Sequence, residues 1–216
     1  MLLDLQYFRG ASCRDRVIDA ARTAISQGEG NFTADRVADI AGLPRAVVYL
    51  HFPSMEGLRD LILENFFLEV MPAIVGANFE RMVLARQHLT ELDLVRLFLD
   101  VLRTVIEEYP NYFRADFASS NDRRQLQGWS FFQAFLDRYL GLVDFNFDRG
   151  REAGVFSENL SPGAIRQFLR GLFLGSTMQC LFLPSGYDPS FLFEKVKEQT
   201  QRLLCAGRYD WKMMTD

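Results

Sequence analysis

The chain is predicted to be all-α. Apolar residues recur at helical spacing along nearly its whole length, and the segment starts carry helix-capping residues. No useful length shows the two-residue alternation of a half-buried strand. About nine helices are expected. A composition shift after about residue 60 divides them into a small head, residues 1–60, and a larger helical body, residues 61–216. The head holds three helices plus a connecting fourth.

Ser12 followed by Asp15 resembles a capping box, and Val17, Ile18, Ala21, Ala24 and Ile25 follow at helical spacing. Gly28 and Gly30 stop this first helix. Thr33 is a good N-cap for a second, with Val37, Ile40 and Ala41 on its inner face. Gly42 makes a turn, and a third helix covers residues 44–52. Ser54 caps a fourth, whose positive end suits Glu56 and Asp60. That helix runs towards Pro72, which is expected to end or kink it. Further helices are expected over 89–109, 110–119 and 124–153, the last closed by Gly154. Ser161-Pro162 and Asp188-Pro189 each place a capping residue before a first-turn proline and open the last two helices.

Composition narrows the function. Nearly half of the 216 residues are apolar, enough for a substantial core. The formal charge of −4 gives no global pull towards nucleic acid, so DNA binding has to rest on a local arrangement. Cys13, Cys180 and Cys205 are widely spaced, and His51 and His88 are the only histidines, so no disulfide framework, metal or cofactor is expected. The N-terminus lacks the pattern of a signal peptide. The most apolar later stretch, 171–184, is too short to span a bilayer. The expectation is a reduced, cytoplasmic protein with no membrane partner. Glu107-Glu108 point about 100° apart on a helix, and no G-x-S-x-G, Walker-type loop or H-E-x-x-H is present, so no enzyme is expected.

The stretch "GLPRAVVYLHFPSMEGL", residues 42–58, carries the sharpest functional signal. Two helices joined by a tight glycine turn are the skeleton of a helix-turn-helix. Around the third helix, Val48 and Phe52 fall on one inward stripe. Ala46, Val47 and Leu50 lie opposite, with Tyr49 and His51 on the flanks. Small outward residues let a helix axis approach base edges, while polar-tipped flanking side chains reach the phosphates on either side. An ordinary amphipathic helix would put charge at 46, 47 and 50.

At these residues the chain resembles the TetR family of bacterial regulators. The motif is Thr33, Ile40-Ala41, Gly42-Leu43, Tyr49-x-His51-Phe52 and Glu56-x-Leu58, within about residues 12–60. "FNFDRGREAGVF", before a Ser-Pro helix start, is similar to the family's later half. The resemblance implies that Thr33 caps the second helix and touches phosphate, that Tyr49 and His51 contact the backbone, and that Arg45, Ala46, Val47 and Leu50 face the bases. Of these, Arg45 alone has the fork that fits guanine O6 and N7, while Ala46, Val47 and Leu50 offer shape and contact with thymine methyls. The chain departs from the family at Pro44, Ala46 and Met55, where serine or threonine, glycine and lysine are usual. The head holds seven arginines against eight carboxylates and no lysine, a formal charge of −1. Fewer phosphate contacts and a shallower salt dependence are therefore expected.

The helix after Ser161 is apolar around most of its circumference (Ile165, Phe168, Leu169, Leu172, Phe173), which predicts burial on two sides. The last helix adds Leu192, Val196, Leu203 and Leu204. The resemblance implies a homodimer through these two helices, its heads on half-sites of a palindromic double-stranded operator about 34–36 Å apart. Twenty phenylalanines are many. The richest run, Phe113, Phe117, Trp129, Phe131, Phe132, Phe135 and Tyr139, is read either as core or as an effector pocket for a small, largely apolar or aromatic molecule; Phe113, Phe117, Trp129, Phe132, Phe135 and Tyr139 are the pocket candidates. The expected function is a ligand-responsive transcriptional repressor released from DNA by that effector. The alternative is a TetR-like dimer with weakened DNA binding that works as a ligand- or protein-binding module.

Overall fold

In a computed structural model of the chain, residues 12–28, 32–84, 91–119, 130–157, 161–182 and 189–205 are described. Among them there are ten α-helices, one π-helical turn and no strand. The helices are α1 (Cys13–Ser26), α2 (Ala34–Ala41), α3 (Arg45–His51), α4 (Met55–Asn65), α5 (Met71–Leu84), α6 (Glu91–Glu108), α7 (Pro110–Ser119), α8 (Ser130–Glu152), α9 (Pro162–Phe182) and α10 (Pro189–Leu204). The all-α expectation holds. None of these helices is long and apolar enough to cross a membrane.

The helix missing from the expected nine is α5. Pro72 is expected to end or kink the fourth helix; it lies as the second residue of α5, just after a local distortion of the helix. The chain gets past it through the π turn Phe66–Val70. Proline offers no N–H to the carbonyl four residues back and its ring crowds that carbonyl, so a widened turn just before it absorbs the defect that would otherwise end the helix.

The chain divides into two compact units. The first comprises Met1–Val70 and Asn111–Phe131, so it reaches past residue 60 and takes in most of α7 from the middle of the sequence. Its core holds Val17, Ala21, Val37, Val48, Leu58, Phe67 and Phe113, all fully buried. Phe113 meets Phe67 edge to face at 5.2 Å, and Tyr112 stacks on Phe66 at 4.1 Å. Asn111 donates its side-chain N–H to the Ser26 carbonyl at 2.9 Å, satisfying an acceptor that the end of α1 leaves open. Next to it Gly28 has φ +75°, and a Cβ there would sit 2.9 Å from Asn111 Nδ2. Glycine at 28 is thus required by its backbone angle, and a Cβ there would in addition push the Asn111 amide aside.

The second unit comprises Met71–Pro110 and Phe132–Asp216. In it α6 packs against α5 and α10, and α10 against α9. Phe98, Phe132, Phe135, Phe173 and Phe193 are among its most buried side chains. Gly154 (φ 66°) closes α8 as expected, with Val155 N–H donating to the Gly150 carbonyl at 2.7 Å and Phe156 stacking on Phe147. The seam between α6 and α10 is charged. Lys197 bonds Asp100 and Glu194, and Arg103 donates to Ser190 at 2.9 Å.

Candidate nucleic-acid interface

The corner formed by α2, Gly42 and α3 is assembled by local chemistry. The Thr33 hydroxyl oxygen accepts the Arg36 N–H at 3.3 Å and caps α2, which leaves its O–H proton to donate outward. Gly42 ends α2 in the left-handed conformation (φ 61°, ψ 40°), and Leu43 N–H returns to the Ala38 carbonyl at 3.0 Å. Arg16 of α1 reaches across and donates to the carbonyls of Ala41 and Gly42, a clamp on the turn itself. Pro44 stands at the N-cap of α3 and supplies no side-chain cap; Phe52 closes the helix with its N–H on the Val48 carbonyl at 2.8 Å.

The inward stripe is as expected: Val48 is fully buried and Phe52 nearly so, with the Arg14 guanidinium 5.3 Å from the centre of the Phe52 ring. The outward face carries Ala46 and Leu50, and Leu50 is 77 % exposed. Tyr49 is exposed on one flank, and His51 is half-buried on the other. Val47, expected on the outward face, is half-buried instead. One residue before the buried Val48 is only about a quarter-turn from the core, so its side chain lies on the shoulder of the helix.

Arg45 is exposed but engaged. Its Nη1 is 3.1 Å from Asp35 Oδ2, its Nη2 donates to the Tyr49 hydroxyl at 3.2 Å, and its guanidinium carbon lies 5.3 Å from the centre of the Tyr49 ring. The Tyr49 hydrogen bond, and then the charge of Asp35, push the Arg45 pKa above its ordinary value, so the side chain stays cationic. Sequence reasoning missed Asp35 and Arg16. Both act across the turns between helices, where spacing along one helix carries no information.

The pocket candidates divide between the units. Phe113 and Phe117 lie on α7 in the first, where Phe113 is fully buried and Phe117 is 37 % exposed. Phe132, Phe135 and Tyr139 lie on α8 in the second and form one aromatic cluster, with Tyr139 stacked on Phe98 at 4.0 Å. Burial among these rings pushes the Tyr139 hydroxyl up to about 12, so it is a neutral hydrogen-bond donor at neutral pH. Trp129 and His88 lie outside the described residues. A cavity of about 410 Å³ in the second unit is lined by Asp93, Arg96, Asp100, Glu194, Lys197 and Glu198 among others, charged side chains and not the expected rings. Cys180 is half-buried, and burial together with Glu107 raises its thiol to about 11, which removes thiolate reactivity.

Residues 17–62 match the family model described as bacterial regulatory proteins, tetR family. The TetR resemblance of the head therefore rests on both the quoted motif and this match. No curated protein matches the chain. Among solved structures, the chain is similar to the fatty acid degradation regulator FadR from Bacillus halodurans, with 19 % identity, 89 % of this chain and 96 % of that chain covered, and a TM-score of 0.66. It is also similar to the transcriptional regulator FadR from Bacillus subtilis in complex with stearoyl-CoA, with 17 % identity, 88 % and 98 % covered, and a TM-score of 0.65. AibR in complex with isovaleryl coenzyme A and operator DNA shares 13 % identity, with 87 % and 97 % covered and a TM-score of 0.59. At these identities the likeness is one of fold.

Proposed function

From a head that matches the tetR family over residues 17–62, we propose that the chain is a ligand-responsive transcriptional regulator. In this reading it binds a palindromic operator as a homodimer and acts as a repressor that a small, largely apolar effector releases. The observation that carries it is the outward face of α3. Leu50 is 77 % exposed beside Ala46 on a head whose other helices bury their apolar stripes. An apolar reading face with Tyr49 and His51 at its flanks fits the major groove better than it fits water. Thr33, Tyr49 and His51 are assigned to phosphate, and Ala46, Val47, Leu50 and Arg45 to the bases.

Dimerisation is supported by α9. Ala164, Phe168, Gly171, Gly175, Met178 and Phe182 are all exposed and recur at alternating steps of four and three, an apolar seam along one helix face. A Cβ at Gly171 or Gly175 would meet nothing within 4 Å, so the centre of the seam is open to close approach. The effector class is supported by two structural relatives that bind acyl-coenzyme A ligands, one long-chain and one short and branched. A fatty acyl thioester is the class we assign, with the cluster around Phe135 and Tyr139 as its apolar wall. The effector acts through its differential affinity for two conformations, only one of which presents both heads at the half-site spacing.

The test is selection of DNA fragments from a random pool by the purified protein, with affinity then measured at several salt concentrations. A two-fold palindrome is expected, and Arg45→Ala should weaken binding to it about five- to hundredfold while relaxing preference at one guanine. A protein that is folded and dimeric yet selects nothing would overturn the regulator reading. The alternative module reading, favoured by Met55 and by the lysine-free head, would then stand.

A further inference from the structure

We propose that Asp35 is an affinity-limiting residue: its carboxylate competes with DNA for Arg45, so that every complex in which Arg45 touches DNA has first to break the ion pair. The inference rests on the DNA-binding reading above and adds to it a residue that never reads a base. Asp35 lies in the first turn of α2 and Arg45 opens α3, ten residues on across the Gly42 turn. They meet at 3.1 Å, and both side chains are more than half exposed. On the other side the Tyr49 hydroxyl and ring hold the same guanidinium.

An anion placed there has two consequences. It occupies Arg45 in the free protein, and it brings a negative charge next to Thr33 and Tyr49, the residues assigned to phosphate. Both oppose sequence-independent binding, which is carried almost entirely by phosphate contacts. An exposed ion pair is worth at most about fivefold in an equilibrium constant. A bidentate arginine–guanine contact discriminates by about five- to hundredfold. The guanine therefore outcompetes Asp35, whereas a lone phosphate contact roughly balances it. In both complexes the ion pair is broken first, so Asp35 lowers affinity for the operator and for bulk DNA alike, by up to about fivefold.

The experiment compares wild type with Asp35→Asn on the selected palindrome, on random-sequence DNA of equal length and on a heparin column. Asn is close in size and removes only the charge; thermal melts and sedimentation confirm that the variant is folded and in the same oligomeric state. Random DNA should bind about two- to fivefold tighter and its salt slope should steepen by up to about one unit. Elution from heparin should need more salt, and the palindrome should tighten by a similar factor of about two to five. Unchanged random-DNA and heparin binding would overturn the proposal, and so would weaker palindrome binding alone, which would make Asp35 a positioning residue for Arg45. Wild-type protein that binds no DNA would overturn the regulator reading itself, a result separable from the others because the heparin comparison needs no operator.

Discussion

The contacts that fold the head at the residue scale are of two kinds, and they were not equally readable. Ser12, Asp15, Thr33, Gly42 and Val48 do what their positions predict, because caps, left-handed turns and a buried stripe are decided within four residues of chain. Asp35 with Arg45, Arg16 with the Ala41 and Gly42 carbonyls, and Asn111 with Ser26 were not legible, because each joins segments 10, 25 and 85 residues apart. Asp15 permits a pH test. The Ser12 hydroxyl and then the Ser12 N–H hold its carboxyl below the ordinary 3.8, so its contribution is full above 3.8 and is lost as pH falls through the lowered folded-state value. Asp15→Asn should lower Tm at pH 6, and the gap to wild type should close as pH drops below 3.8. A gap that is the same at both pH values would mean that the charge of the box contributes nothing.

Most helices, and their proline and glycine punctuation, were legible at the scale of elements; one was not. The capping signals at Ser54 and Ser161 and the stop at Gly154 are local and correct. Pro72 is expected to end or kink the helix, and the sequence does not say which, because the rule for proline considers only the regular ladder. A five-residue π turn is a second way to accommodate it, and no residue type announces one. Pro72→Ala restores the missing donor and removes the ring. It should let Phe66–Val70 tighten to α-helix and raise the protection of the amides from 66 to 76 in hydrogen–deuterium exchange. Unaltered protection would assign the π turn to the packing of Phe66 and Phe67 and not to the proline.

The proposed dimer and the proposed ligand belong to the whole molecule, and a single chain would carry only half of the first. The apolar stripe of α9 was legible as two-sided burial, but which side faces its own core required the structure: Ile165, Leu169 and Phe173 point in, and Phe168, Met178 and Phe182 point out. Met178→Glu places a charge on the outward seam, so sedimentation should show monomer at concentrations where wild type is dimeric. A dimer of unchanged affinity would move the interface elsewhere. The pocket candidates were gathered by abundance of rings, and abundance does not separate a ring that packs a core from one that lines a cavity.

The first unit closes only with Asn111, Tyr112 and Phe113, which the chain supplies forty residues after α4 and its π turn have ended. Gene fusions that move residues 1–70 of this chain onto another body would therefore import the proposed head while leaving behind the rings that seat against Phe66 and Phe67. The segment proposed to read DNA is contiguous in sequence, but it is not a transplantable cassette. Grafts that carry residues 111–119 along with it are the ones that inherit an intact core.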